Sequence, residues 1–168
     1  MADFKQNQVR EDYMWKTYGK IIKDTLTNNN PNSKIERVNG MLDMDCGIDA
    51  VIKLPMNGTY SIRFISLRIL NYNYNNFTFR IPDTKNKKEL FKLLSPFNPS
   101  PFYHVQITEG WNGTQIAMLN INKLSQYVED NPEFWQVISN YIKKGDRNSY
   151  YSIPMTKFKR FMKIVNID

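Results

Sequence analysis

Three polar side chains on two neighbouring predicted strands have the residue types for phosphodiester chemistry. Asp49 lies in the segment LDMDCGIDAVI at 42–52, and Ser66 and Arg68 lie in TYSIRFISLRI at 59–69. A hydrolytic site of this kind needs oxygen ligands for Mg²⁺, because the cation neutralises the phosphate and lowers the pKa of its bound water. It also needs a positive charge beside the transition state. Asp49 offers the oxygen ligand, and Arg68 offers the charge.

This arrangement resembles the PD-(D/E)xK nuclease-like superfamily over residues 8–81. Members of that superfamily hold an acid on one strand and an (E/Q)-x-K set on the next strand, often with a further Glu upstream. The resemblance assigns the first acid to Asp49, the second metal ligand to Ser66, the lysine position to Arg68 and the upstream acid to Glu36. It implies a nuclease-like core, with Mg²⁺ as the cofactor of an active member and DNA as its substrate.

Two of the matched positions depart from the superfamily pattern in ways that affect catalysis. Ser66 is a neutral and weak metal ligand, and Arg68 is always protonated, so it cannot serve as a general base. Asp43 and Asp45 restore metal binding only if their turn brings them close to Asp49. We therefore expect a degenerate nuclease-like scaffold that binds a partner without catalysis, cofactor or metal. A Mg²⁺-dependent DNA endonuclease is the alternative.

Length and composition favour a particular kind of partner. The chain has 168 residues and is rich in Asn, Lys, Ile, Tyr and Phe, which AT-rich codons specify. In these respects it resembles small phage proteins that inhibit host DNA replication by binding the bacterial sliding clamp, the beta subunit of DNA polymerase III. That resemblance implies a non-catalytic protein of host takeover that acts in the cytoplasm of the infected bacterium.

Two features of the sequence suit a contact with such a clamp. Bacterial clamp-binding peptides resemble Gln-Leu-x-Leu-Phe, and Leu90-Phe91 keep the final pair, whose side chains suit a hydrophobic pocket. Within a predicted amphipathic helix, however, such a pair more often belongs to the core. The inner wall of a clamp is basic because it surrounds DNA, so an acidic group on this chain would act as a DNA mimic. The candidate phosphate mimics are Glu36, Asp43, Asp45 and Asp49.

The net charge favours nucleic acid as an alternative partner. The chain has 23 Lys and Arg against 16 Asp and Glu, which gives a formal net charge of +7. A basic surplus attracts polyanions. Basic and aromatic residues alternate in KFKRFMK at 157–163, and the aromatic ones are expected to pack inward. The candidate nucleic-acid contacts in this segment are Lys157, Lys159 and Arg160.

Several other kinds of site are excluded by residue type. The single cysteine, Cys46, cannot form an internal disulfide, and with the single histidine, His104, it cannot build a structural zinc site. His104 alternates with apolar neighbours on a predicted strand, which favours a hydrogen-bonded structural role. The polar N-terminus and the absence of a long apolar run predict a protein without a signal peptide or membrane span. A homodimer is compatible with the abundant tyrosines and predicted strands.

Hydrophobic periodicity and turn residues predict a single α+β domain over residues 1–168, with a mixed or largely antiparallel sheet flanked by helices. The Asn57-Gly58 pair predicts a tight hairpin between two strands. Helices are predicted over 8–27 and 86–95, one or two over 122–142, and a basic one that starts near Pro154. Strands are predicted over 34–42, 46–54, 59–70, 77–81, 102–110, 114–121 and 149–153.

Overall fold

The structure, a computed structural model, describes residues 2–38, 48–71, 75–81, 101–110, 113–144 and 149–168. The helices in this part of the chain are α1 (Ala2–Leu26), α2 (Ile121–Asp130), α3 (Phe134–Ser139) and the 3-10 helix η1 (Met155–Phe161). The strands are β1 (Lys34–Arg37), β2 (Ala50–Met56), β3 (Thr59–Leu70), β4 (Asn76–Ile81), β5 (Tyr103–Gly110), β6 (Gly113–Asn120), β7 (Ile142–Lys144), β8 (Ser149–Pro154) and β9 (Met162–Ile167).

The strands form two sheets. Six of them make a sheet in the order β1-β2-β3-β5-β6-β9, and three make a smaller sheet in the order β4-β8-β7. Neighbouring strands are antiparallel throughout, except that β3 and β5 run parallel. Parallel neighbours require a crossover connection, and this one contains β4 of the smaller sheet. The fold is therefore α+β with a mixed, mostly antiparallel sheet, as predicted.

The larger sheet has a hydrophobic core on each of its two faces. On one face, α1 packs Met14, Tyr18 and Ile22 against the sheet at helical spacing. On the other face, Ala117 and Leu119 of β6 join a core built from β4, β8, α2, α3 and η1. Strand β5 is covered on both faces, and every residue from 103 to 108 is buried. Among the described helices, none is long and apolar enough to cross a bilayer.

Gln106 on β5 joins the two sheets through the backbone of β4. Its Oε1 accepts a hydrogen bond from the backbone N–H of Thr78 at 3.0 Å, and its Nε2 donates to the backbone carbonyl of Asn76 at 2.8 Å. Because β4 lies at the edge of the smaller sheet, these bonds satisfy backbone groups that have no neighbouring strand. The bridge therefore fixes β4 over the face of the larger sheet that carries the polar residues of β3 and β5.

Removing this bridge is expected to destabilise the protein. In Gln106→Leu, two backbone groups of β4 lose their partner in a buried setting, so the free energy of unfolding should fall by about 2–4 kcal/mol. Urea denaturation measures the change. Gln126→Leu, at an exposed position of α2, is the matched control and should stay within about 0.5 kcal/mol of the parent. Equal effects of the two substitutions would contradict a stabilising role for the bridge.

The predicted hairpin is confirmed. Strand β3 begins and ends at the predicted residues, and Asn57 and Gly58 form the turn before it with φ of 39° and 83°. Positive φ at both central positions is the reason that Asn-Gly is so strong a hairpin signal. The helix near the N-terminus, the β5–β6 hairpin and the helical segment after it are also confirmed, and of the one or two helices predicted there the structure has two. The predicted helix over 86–95 lies outside the described residues.

The prediction for the C-terminal segment was wrong. In place of a basic helix, the chain forms the short 3-10 helix η1 and then β9, which pairs with β6 from Met162 to Ile167. The sequence MKIVNI suits a strand as well as a helix, and pairing with an available sheet edge decides between them. The short strand β7 was also missed, and β2 begins at Ala50, later than predicted.

Candidate functional site

The hairpin places the three nuclease-like positions on one face of the larger sheet. Ala50 pairs with Ile65, so positions 49 and 66 lie opposite each other on the same face, and Arg68 follows Ser66 on that face. Asp49 directly precedes β2. The predicted juxtaposition of an acid on one strand with a polar-x-basic set on the next is therefore present.

The backbone around Asp49 is held in place by hydrogen bonds. Its N–H donates to the carbonyl of Ile65 at 2.8 Å, and its carbonyl accepts from the N–H of Val38 at 2.9 Å. The carboxylate oxygen Oδ2 accepts a short hydrogen bond from the backbone N–H of Leu67. This hydrogen bond satisfies a strand N–H just beyond the end of the β2–β3 ladder.

The side chain of Ser66 forms a hydrogen bond inside the protein. It is buried, and its Oγ lies 2.6 Å from Nδ1 of His104, the residue that pairs with it on the parallel strand β5. Which atom donates depends on the tautomer of the imidazole. Ser66 therefore faces the interior between the two sheets.

His104, the partner of Ser66, is almost completely buried. Only 1% of its surface is exposed, and its ring lies 5.0 Å from the ring of Phe79 and 6.1 Å from that of Phe77. Burial, and secondly the charge of Arg68, lower the pKa of His104 to about 3. Its Nε2 has no hydrogen-bond partner in the described part of the chain. At neutral pH the imidazole is therefore uncharged, and the predicted structural role of His104 fits this setting.

Glu36 lies on the same face of the sheet, because β1 pairs Glu36 with Val51 and β2 pairs Val51 with Phe64. Its carboxylate accepts a hydrogen bond from Lys53 Nζ at 2.6 Å in an exposed ion pair. Of the four candidate phosphate mimics, Glu36 and Asp49 can be placed, and each has a partner within the protein. Asp43, Asp45, Leu90 and Phe91 lie outside the described residues.

The described side chains at this position each have a partner within the protein. One carboxylate oxygen of Asp49 accepts a backbone hydrogen bond, Ser66 points to His104, and Glu36 pairs with Lys53. Across the described ranges, no group of three or more His, Cys, Asp or Glu side chains is placed to hold a metal ion. The nuclease-like positions thus form a hydrogen-bonded framework.

An apolar surface on the same hairpin was missed by the sequence analysis. Tyr60 and Ile62 of β3 are 63% and 55% exposed, and both lie on the face that carries Ser66. We call the surface formed by Tyr60 and Ile62, with Pro55 and Phe64 beside them, the hairpin face. Alternation in TYSIRF indicates which residues share a face, but only the tertiary structure shows that Tyr60 and Ile62 are exposed at this end of it.

The candidate nucleic-acid residues occupy a different element. Lys157, Lys159 and Arg160 are exposed on η1, and they line a surface groove with aromatic residues of α2, α3 and η1. The inward packing predicted for the aromatic residues of this segment is seen in Phe158, which is fully buried, while Phe161 is partly buried against the same core.

No model of a protein family matches the chain, and no curated protein matches it significantly. Its function must therefore be argued from its own side chains.

Proposed function

We propose that this chain is a phage-encoded inhibitor of host DNA replication, which binds the bacterial sliding clamp and has no catalytic activity. One observation carries the proposal: Asp49 and Ser66, two of the positions that resemble a nuclease site, form hydrogen bonds within the protein. Asp49 caps the N–H of Leu67, and Ser66 contacts the buried His104. Side chains held in this way support the fold. We therefore expect the exposed surfaces of the protein to carry its function.

The hairpin face supplies the chemistry that a clamp pocket would accept. Peptides that bind bacterial clamps use an aliphatic and an aromatic anchor. Tyr60 and Ile62 offer one of each, about 7 Å apart along the same face of β3. Both project from a strand whose backbone is paired along the β2–β3 ladder, so less conformational entropy is lost when they are buried by a partner than for residues on a free loop. An exposed aromatic residue beside an aliphatic one is typical of binding hot spots.

Two charged residues, Lys53 and Glu36, lie next to these anchors, and the acidic one suits the basic surface of a clamp. Lys53 pairs directly with Ile62 across the β2–β3 ladder, and its ion-pair partner Glu36 lies on the neighbouring strand. Exposed ion pairs contribute little to stability, so Glu36 can exchange Lys53 for a cation of the partner at small cost. In this proposal Glu36 contacts the partner beside the hairpin face.

The proposal is tested by measuring complex formation between the purified protein and a purified bacterial sliding clamp. We expect a stable complex on size-exclusion chromatography that persists in EDTA, and loss of clamp-dependent DNA synthesis by the polymerase when the protein is added. The same preparation should leave plasmid DNA intact with Mg²⁺ or Mn²⁺ present. Asp49→Asn keeps an acceptor oxygen for Leu67, so this variant should bind the clamp like the parent.

Two outcomes would overturn the proposal. One is the absence of a clamp complex at low salt. The other is cleavage of DNA that requires a divalent metal and is lost in Asp49→Asn, which would identify the chain as the alternative, a Mg²⁺-dependent endonuclease.

A further inference from the structure

A groove of about 490 Å³ lies on the surface beside η1, away from the nuclease-like positions. Its size falls in the range of ligand-binding clefts. Five of its residues come from η1 itself, and the other two come from α2 and α3, which pack beside it. The lining residues are Tyr127, Phe134, Thr156, Lys157, Lys159, Arg160 and Phe161.

The charged residues that line the groove are all positive. Lys157, Lys159 and Arg160 line it, and its lining contains no carboxylate among the described residues. All three cations are exposed, and none forms an ion pair with another described residue. Cations left without acidic partners along one short element attract an anion with several charges.

The helix η1 that carries these cations is anchored in the core. Met155 and Phe158 of η1 are buried, and the Phe158 ring packs edge-on against Phe77 at 5.5 Å between centroids. This anchorage holds the backbone of η1, so the charged side chains project from a rigid support. A site on a rigid support loses less entropy on binding than a site on a free tail.

Aromatic rings line the groove next to the charges. Tyr127 lies 5.1 Å from Phe161 and 5.5 Å from Phe134 between ring centroids. Tyr127 and Phe161 are only partly buried, so each keeps exposed surface toward the groove. A planar ring beside a row of cations is the combination that binds unpaired bases, because the ring stacks on the base while the cations contact the phosphates.

We propose that this groove binds single-stranded nucleic acid, a property beyond the clamp binding proposed above. The phosphates lie along Lys157, Lys159 and Arg160, and a base stacks on Phe161 or Tyr127. Duplex DNA keeps its bases stacked in pairs and offers only its phosphates to such a groove, so the aromatic lining favours the single strand.

The test is fluorescence anisotropy with a labelled oligothymidine of about 12 nucleotides, a length within the range of single-strand binding sites. A duplex of the same length serves as competitor. We expect the single strand to bind more tightly than the duplex. Three phosphate contacts predict that affinity falls roughly 20-fold between about 50 and about 200 mM salt.

Two variants separate the contributions of charge and stacking. Lys157→Gln, Lys159→Gln and Arg160→Gln combined should abolish most of the salt dependence and weaken binding at least about 20-fold at low salt. Phe161→Leu keeps an apolar side chain but removes the ring, and it should weaken binding about 5-fold or more. The matched control removes the same charge from residues outside the groove. It combines Lys16→Gln, Lys20→Gln and Lys34→Gln, all exposed on α1 or β1.

The control triple variant should bind like the parent once the small effect of net charge is allowed for. Circular dichroism checks that each variant is folded. Equal affinity for duplex and single strand, unchanged binding in Phe161→Leu, or equal losses in the two triple variants would each overturn the proposal.

Discussion

Replacing Tyr60 and Ile62 together by serine is expected to weaken the proposed clamp binding at least about 100-fold, because the proposal makes these two exposed side chains the anchors of the contact. Tyr60 is 63% and Ile62 is 55% exposed in the free protein, so neither substitution removes a core contact. The free energy of unfolding should therefore change by less than about 1 kcal/mol. Surface plasmon resonance with immobilised clamp measures the affinity, and urea denaturation measures the stability.

The chain offers a matched control for this double substitution. Tyr13 and Val9 of α1 are also an exposed aromatic and aliphatic pair, 57% and 69% exposed. The combination Val9→Ser and Tyr13→Ser removes the same chemistry from the other face of the larger sheet and should leave clamp binding unchanged. If both double variants bound like the parent, the hairpin face would not be the clamp contact. If both lost binding, the loss would not be specific to the hairpin face.

Acidification is expected to destabilise the protein through His104. The pKa of this imidazole is lowered from 6.5 to about 3 by burial and by the charge of Arg68. Between these values the unfolded chain binds a proton that the folded protein does not, so stability rises with pH. The contribution is complete above pH 6.5 and is lost as the pH falls toward 3, with a slope of up to about 1.4 kcal/mol per pH unit.

His104→Asn isolates this contribution. The asparagine side chain can still reach Ser66 from the position of Nδ1, but it does not titrate. The variant is expected to be less stable at neutral pH, because it loses ring contacts with Phe77 and Phe79. Its free energy of unfolding should nevertheless fall less steeply than that of the parent from about pH 6.5 to about pH 4. Urea denaturation at a series of pH values gives both curves, and their difference removes the shared contribution of the carboxylates.

Nuclear magnetic resonance provides a direct check, because His104 is the only histidine of the chain. Its ring protons should show no titration near pH 6.5 in the folded protein. A titration centred near the ordinary pKa of histidine would mean that the imidazole is accessible to water, and parallel pH profiles for the parent and His104→Asn would lead to the same conclusion.

The juxtaposition of Asp49 with Ser66 and Arg68 could be predicted from the sequence because it depends on local contacts. The Asn57-Gly58 turn fixes the register of β2 and β3, and a two-residue turn leaves few alternatives for the pairing. Strand alternation then assigns Ser66 and Arg68 to one face. The chemical weakness of the set, a hydroxyl and a guanidinium in place of a carboxylate and an amine, also follows from residue types alone.

The partner of Ser66 could not be predicted in this way. His104 is 38 residues further along the chain and meets Ser66 through the parallel pairing of β3 with β5. No local turn sets the register of a parallel pair, because its strands are joined by a crossover. For the same reason the sequence did not indicate the bridge from Gln106 to β4, or the burial that keeps the imidazole neutral.

By itself, the sequence determined the α+β class, the central hairpin and the basic character of residues 157–160, because these depend on composition, on spacing and on turn residues. Only the tertiary structure decided that residues 162–167 form a strand, that Tyr60 and Ile62 remain exposed and that the three cations of η1 meet aromatic rings from α2 and α3. These outcomes depend on which distant surfaces pack together. That choice is made by burial and by the pairing of sheet edges, which a local pattern does not encode.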